Sequence, residues 1–266
     1  MKHLMINEAL PIAELSRLGL YDGNKHLLSD ADLSALLSGR RTSMVNLRDL
    51  VSEAFVIDSL DAKLSLHTDE DNFQEIKLHP IYKEPRRSPE LLDDEANELI
   101  SGDVKNVAKS VSFPDGSSRV IVFEYDSETR EFVSYDPEGV EVPLQINGEQ
   151  LESDKRADFA MGRIVQLSDG TMIQHSATEP KGILASRTAL ILTVMEDGAA
   201  RSFLVKDLSP IMDVSIHHTP FSPGFESAFL EMNKADGSIS DEKLQQRELE
   251  DFKKEYARGD GHVISR

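Results

Sequence analysis

The 266-residue chain contains no cysteine and no tryptophan, and aromatic residues make up only 6% of it. Without cysteine there can be no disulfide framework, thiolate zinc site, iron–sulfur cluster or cysteine nucleophile. No run approaches the roughly 18 consecutive apolar residues of a membrane-crossing helix. The first residues, MKHLMINEALP, lack the apolar stretch of roughly 7–15 residues that marks a secretory signal, so the expected location is cytoplasmic. Positive charge is also scarce: 29 Lys and Arg stand against 48 Asp and Glu, a formal net charge of −19. Phosphate attraction needs clustered Lys and Arg, so this balance argues against a nucleic-acid binder. It favours solubility and steers the chain toward basic partners. Hydrophobic content of 39% is still enough for a core, and the length suits about two domains or one large one.

A weak repeat is present. Ala35-Leu36-Leu37-Ser38-Gly39, Glu98-Leu99-Ile100-Ser101-Gly102 and Phe159-Ala160-Met161-Gly162 recur at near-equal intervals, each before a β-rich segment. Ser29 predicts a helix cap, with Leu33, Leu36 and Leu37 on one face and Gly39 in the left-handed terminating position. Ser88-Pro89 predicts the start of a second helix, with Leu92, Ala96, Leu99 and Ile100 as its stripe and Gly102 as its stop. A third, starting at Asn147, is expected to end at Gly162. A short helix over Leu10–Leu18 with Gly19 as its stop precedes all three.

Strands are expected after each helix. Ala62–Leu66 alternates with period two and joins Gln74–Leu78 through Asp69–Asn72. Arg119–Tyr125 and Glu131–Tyr135 flank the turn Asp126–Arg130, and Thr188–Met195 and Arg201–Val205 flank Asp197-Gly198. His79 to Pro85 is bounded by prolines and should be an extended linker. The region 207–234, with Pro210, Pro220 and Pro223, reads as irregular. After Asp236-Gly237, Ser240 caps a charged helix running to about Tyr256, with a favourable Glu250–Lys254 pair. Its apolar stripe, Leu244, Leu249, Phe252 and Tyr256, is thin, which suits a loosely attached tail or a docking element for a partner; the tail is the simpler reading.

The expected class is therefore α+β: about three helix–Gly–β-hairpin units packed together, plus a charged C-terminal helix. The expected boundaries are 1–85, 86–143 and 144–210 for the units and 211–266 for an irregular linker and tail. One such unit could not bury its apolar face alone, so packing between units is expected.

Several stretches carry a resemblance to a known family. They are Leu10-Pro11-Ile12 with Leu15 and Leu18-Gly19, Leu36–Thr42, Asp61–Leu66, His79-Pro80-Ile81 with Lys83-Glu84-Pro85, Asp126–Glu131 and Ile146–Glu149. In this order, over roughly residues 8 to 206, they resemble a pair of linked domains of unknown function common on conjugative and mobilisable elements of the Bacteroidetes. Such domains occur beside, or fused to, relaxases and topoisomerases. The resemblance implies an accessory part in mobile-element DNA processing or element defence, and it carries no catalytic residues. The chain departs from the family in being poorer in lysine and in an extra stretch around Gln174–Arg187.

Catalytic motifs are missing: no G-x-x-x-x-G-K-[ST], G-x-G-x-x-G, H-E-x-x-H or G-x-S-x-G occurs. Of the histidines, adjacent His217 and His218 would face opposite sides of a strand and could not chelate together. His67 and His79 near Asp69, Glu70 and Asp71 could approach a divalent ion, but a polar turn explains those carboxylates more simply. Asp93-Asp94-Glu95 suits a helix start. No catalytic, cofactor or metal residue is assigned, and no cofactor is expected. The residues with partner-contact potential are the basic pair Arg40-Arg41, the group Tyr82, Lys83, Arg86 and Arg87, and Leu249, Phe252 and Tyr256 of the last helix. Solvated surface charge is the simpler reading of the basic residues. The expected function is a non-enzymatic protein-interaction module with a protein partner of basic character, with neither nucleic acid nor membrane as its target. The alternative is an acidic inhibitor or DNA mimic that binds a basic nuclease or defence complex.

Overall fold

The computed structural model describes residues 10–51, 56–68, 74–196, 198–235 and 242–259. The expected roles of Asp69–Asn72, Asp197, Asp236-Gly237 and Ser240 lie outside these residues. Helices and antiparallel sheets are both present, so the class is α+β. The chain divides into two compact units: residues 1–140 with 175–183, and residues 141–174 with 184–266.

Unit 1 begins with helices α1 (Ile12–Arg17) and α2 (Asp30–Leu37). The Ser29 hydroxyl accepts from Asp32 N at 3.1 Å and caps α2, and Gly39 ends it at φ +67°. A three-stranded antiparallel sheet follows: β1 (Val45–Val51), β2 (Val56–Thr68) and β3 (Gln74–Pro80). Leu47 pairs with Leu60, Leu66 with Ile76 and Leu64 with Leu78, which sets one face of the sheet apolar. Leu47, Ala62 and Leu64 on that face are buried with Leu10, Leu15, Leu20, Leu28, Leu33 and Leu36. Leu37, expected on the buried face of α2, is exposed. The opposite face of β2 and β3 carries Lys63, Ser65 and His79.

The unit then repeats its plan with α3 (Asp93–Ser101), Gly102 at φ +80°, and the sheet β4 (Asn106–Ser112), β5 (Ser118–Asp126) and β6 (Glu131–Tyr135). The glycine stops appear as expected, and each expected hairpin has gained a strand, β1 in the first case and β4 in the second. The start of α3 differs from expectation. Ser88 forms a turn with Leu91, and the helix begins after Leu92, whose N–H donates to the Glu95 carboxylate at 2.8 Å. Of the expected stripe only Leu99 is buried; Leu92, at the cap, is 66% exposed.

Unit 2 holds β7 (Gln145–Ile146), β8 (Glu149–Gln150), α4 (Ser153–Ala160), β9 (Val165–Gln166), β12 (Leu190–Glu196), β13 (Ala199–Val205), α5 (Pro223–Ala235) and α6 (Glu242–Gly259). Strands β10 (Met172–His175) and β11 (Ile183–Ala185) lead out of the unit and back. Asn147 does not open the third helix. With φ +51° at Asn147 and +77° at Gly148, the pair forms the two-residue turn between β7 and β8, and α4 starts only at Ser153. Gly162 ends the α4 segment at φ +68°, as expected. The expected hairpin partner of β12 is β13, and β12 also pairs with β7.

Two further expectations are corrected here. The region 207–234 is not wholly irregular, since α5 fills its second half. Pro223 sits in the first turn of the helix, where a missing N–H costs nothing, and Phe225 N donates to Ser222 Oγ at 3.1 Å as a cap. The last helix is not a loose tail. Leu249 and Phe252 of α6 pack with Phe225, Ala228 and Phe229 of α5 and with Ile191 of β12. Its ion pairs run from Lys253 to Glu250 and to Glu226 of α5, and from Asp251 to Lys254, while the expected Glu250–Lys254 pair is not among them. No described helix is long and apolar enough to cross a membrane.

Candidate functional site

The densest gathering of charged side chains among the described residues lies inside unit 1, between the polar face of β2–β3 and the β5–β6 hairpin. Period-two alternation puts Lys63, Ser65 and His79 on the face of their sheet that the leucines do not occupy. The same alternation puts Glu124, Asp126, Glu131 and Tyr135 on one face of β5–β6. Lys63 Nζ reaches Asp126 Oδ2 at 2.9 Å and Glu128 Oε2 at 2.8 Å; the Lys63 and Asp126 side chains are 3% and 2% exposed. Arg41 Nη1 donates to Glu131 Oε2 at 3.0 Å and to Thr129 Oγ1 at 3.1 Å, and lies 3.5 Å from Asp126 Oδ2. Burial works to raise the Glu131 pKa, but the His79 hydrogen bond and the Arg41 charge outweigh it and hold the carboxyl below its usual range.

One chain of hydrogen bonds has the connectivity of a nucleophile relay. Ser65 Oγ and His79 Nε2 are 2.8 Å apart, and His79 Nδ1 lies 3.1 Å from Glu131 Oε2. Period-two patterning could have put Ser65 and His79 on one face, but nothing local pointed to Glu131. Two features weigh against chemistry here. The same Glu131 oxygen is already committed to the Arg41 guanidinium, which competes for the charge an imidazolium would use. The three residues also sit in a packed seam between strands, rather than on a loop facing a cleft. The relay fixes the seam. His67 does not join it: His67 pairs with Glu75 and His79 with Lys63, four positions apart along β2. No group of metal-ligating side chains forms among the described residues.

Residues 175–183, the middle of the extra stretch, belong to unit 1. Ser176 Oγ donates to Glu124 Oε2 at 2.7 Å, and Thr178 N and Oγ1 donate to the same oxygen at 3.2 Å each. Lys63 Nζ donates to Thr178 O at 3.4 Å, and Arg40 Nε donates to Pro180 O at 3.0 Å. At Gly182, φ is +70°, and a Cβ would lie 3.1 Å from Arg40 Cδ, so any other residue would strain the backbone and crowd the Arg40 side chain. Arg40 and Arg41 are therefore not the solvated surface pair expected. Both are used within their own unit.

The expected linker has a different environment. Its start, His79-Pro80, completes β3. Beyond it, Tyr82 N donates to Thr129 O at 3.1 Å and Arg86 N donates to Arg130 O at 3.0 Å, and Arg130 Nη1 returns to Lys83 O. The segment is thus tied to the β5–β6 turn, while Ile81, Lys83, Arg86 and Arg87 face solvent. The Arg86 guanidinium stands 5.7 Å from the Tyr82 ring centre, and Arg87 pairs with Asp93. The structure thus brings together Tyr82, Lys83, Arg86 and Arg87.

In unit 2, Leu249 is buried, Phe252 packs with Phe221 and Phe229 at ring distances of 5.7 and 5.3 Å, and the Tyr256 hydroxyl donates to Thr188 Oγ1. All three serve the core of this unit. A second polar node, missed at the sequence level, is Asp169. Burial acts to raise its pKa, but hydrogen bonds from Ser222, Thr171 and Asn147 prevail and lower it. A Cβ on Gly224 would lie 2.7 Å from Asp169 Oδ2, so the start of α5 is closed tightly over this carboxylate. The signal was present as Asp169-Gly170 and Ser222-Pro223-Gly224, two loops with no local reason to meet.

Residues 7–90 match a family described as Protein of unknown function (DUF4099). The match covers α1, α2, the β1–β3 sheet and the segment that follows. No curated protein matches the chain, and no solved structure does.

Proposed function

We propose that the protein is a non-enzymatic accessory interaction module of a mobile genetic element, acting in DNA processing or element defence through a protein partner of basic character. The observation that carries this reading is the placement of charge. In unit 1, Arg41 and Lys63 are neutralised by Asp126 and Glu131 in the interior, so the formal −19 belongs to the remaining residues. An excess of that size acts at long range on a cationic surface. Tyr82, Lys83, Arg86 and Arg87 form a largely exposed basic segment tied down by backbone hydrogen bonds, with Arg87 paired to Asp93. It is the proposed contact for an acidic feature of the same partner. The unknown-function domain at 7–90 and the resemblance to mobile-element domains support the accessory role.

Affinity purification from the native host, washed through a salt series, tests this. Raising salt from about 0.15 to 1 M shortens the screening length from ~8 to ~3 Å. The expected result is a basic protein retained at low salt, indifferent to nuclease treatment and released at high salt. Retention of nucleic acid in its place, or a partner indifferent to salt, overturns the reading. Labelling of Ser65 by a fluorophosphonate, lost in Ser65→Ala, would overturn its non-enzymatic part. Capture of a nuclease or defence complex that the protein inhibits selects the acidic-inhibitor alternative.

A further inference from the structure

Glu124 lies at the centre of β5, wholly buried, and all three donors to its Oε2 come from Ser176 and Thr178. Its Oε1 is buried with no hydrogen-bond partner, as is the Tyr135 hydroxyl nearby. We propose that residues 175–183 form a pH-sensitive latch that closes most tightly on unit 1 when Glu124 carries its proton and loosens as that carboxyl ionises. This inference stands apart from the proposed function.

The neighbouring charges are already committed. Lys63 is held by Asp126 and Glu128, Arg41 by Glu131 and Asp126, and Arg40 is turned to Pro180 O. Lys105, just before β4, acts on Glu124 by charge alone. A negative Glu124 would therefore sit without an ion-pair partner, with one oxygen lacking a hydrogen-bond partner from the protein, in a buried seam. Burial accordingly raises the Glu124 pKa, against the lowering effect of Ser176, Lys105 and Thr178. From the other side of the seam, Tyr135 is also pushed up, by burial and then by Glu124 itself. Within the segment, His175 packs edge-on to the Tyr135 ring at 4.9 Å, and burial lowers its pKa to about 4. Glu179 and Lys181 complete the segment's charges, at half-buried positions.

The signs follow. A carboxyl whose closed-state pKa is raised contributes stability in full below its free value and loses it as pH climbs toward the closed-state value. A histidine with a lowered pKa contributes stability that is complete above its free value of about 6.5 and is lost as pH falls from there to about 4. Between about 4.3 and 6.5 the two groups act in opposite senses, so the share of Glu124 is read as the difference between the wild type and a variant whose side chain at 124 cannot ionise.

Amide hydrogen exchange of residues 176–182 in the full chain, corrected for intrinsic rates, tests the proposal. The protection of the wild type relative to Glu124→Gln should fall by up to about tenfold per pH unit above pH ~4.3, levelling once Glu124 ionises in the closed form. Glu124→Gln keeps the shape and the acceptor, and should retain only the His175 dependence, its protection rising toward pH ~6.5. The same slope in Glu124→Gln, or protection lost at every pH, overturns the proposal. Infrared spectroscopy of the wild type decides the matter even if the variant fails to fold. A protonated carboxylic acid band that persists above the free glutamate value of about 4.3 is expected, and its absence refutes the latch.

Discussion

Unit 1 buries Lys63, Glu124, Asp126 and Glu131 between two sheets beside a half-buried Arg41, whereas unit 2 closes around Phe221, Phe225, Phe229 and Phe252. The first arrangement is directional. Apart from Glu124, each of these groups has a named opposite charge within about 3 Å, and loss of one partner strands the other. The second is non-directional: aromatic rings at 5.3–6.4 Å tolerate small shifts and hold by area removed from water. The polar seam should fix which faces meet in unit 1, while the aromatic cluster supplies adhesion in unit 2.

The largest effect is expected from Lys63→Ala. It leaves Asp126 buried with only the more distant Arg41, and should cost unit 1 about 3–5 kcal/mol. Lys63→Met combined with Asp126→Leu should recover most of that loss, because no uncompensated charge remains. Hydrogen exchange resolved by residue in denaturant would read this in β2 and β5. An equal loss in single and double variants would show that the seam is held by packing and not by charge. Next comes Phe225→Ala, which removes a fully buried ring and should cost about 3–4 kcal/mol, confined to unit 2. Its cost should be the same in low and high salt. A salt-dependent loss would erase the contrast between the units.

The difference between the units also explains what the sequence made legible. Leu33 and Leu36 before Gly39, and Leu64 within an alternating run, report local periodicities, and each is where those periodicities put it. Asn147-Gly148 is a strong hairpin signal, and the expectation of a helix from Asn147 to Gly162 runs against it. Pro223 breaks a chain in mid-helix but suits a first turn, which is where it stands. The candidate site was hardly legible at all. Arg41 meets Glu131 across 90 positions, and Ser176 meets Glu124 across 52. No spacing rule reaches that far, and in a chain with 48 carboxylates the buried ones carry no mark.

The smallest effect sharpens the comparison most finely, because it is a matter of pH alone. Glu131 has a folded-state pKa held below its usual value by His79 and Arg41, against the pull of burial. A depressed carboxyl pKa contributes stability that is complete above the usual Glu value of about 4.3 and is lost as pH falls through the folded value. His175 adds to the acid loss as pH falls from its free value of about 6.5 to about 4. Unit 1 should therefore lose protection first as pH drops from about 5 to 3. In unit 2 the depressed carboxyls are Asp169 and Glu149, of which Asp169 is held by hydroxyl, amide and backbone donors with no cation among them. Glu131→Gln, which keeps an acceptor for Arg41 and His79 but cannot titrate, should be less stable than wild type at pH 7 and nearly equal to it at pH 3. If its deficit were the same at both, the carboxylate would be acting by shape and the electrostatic account of the seam would fail.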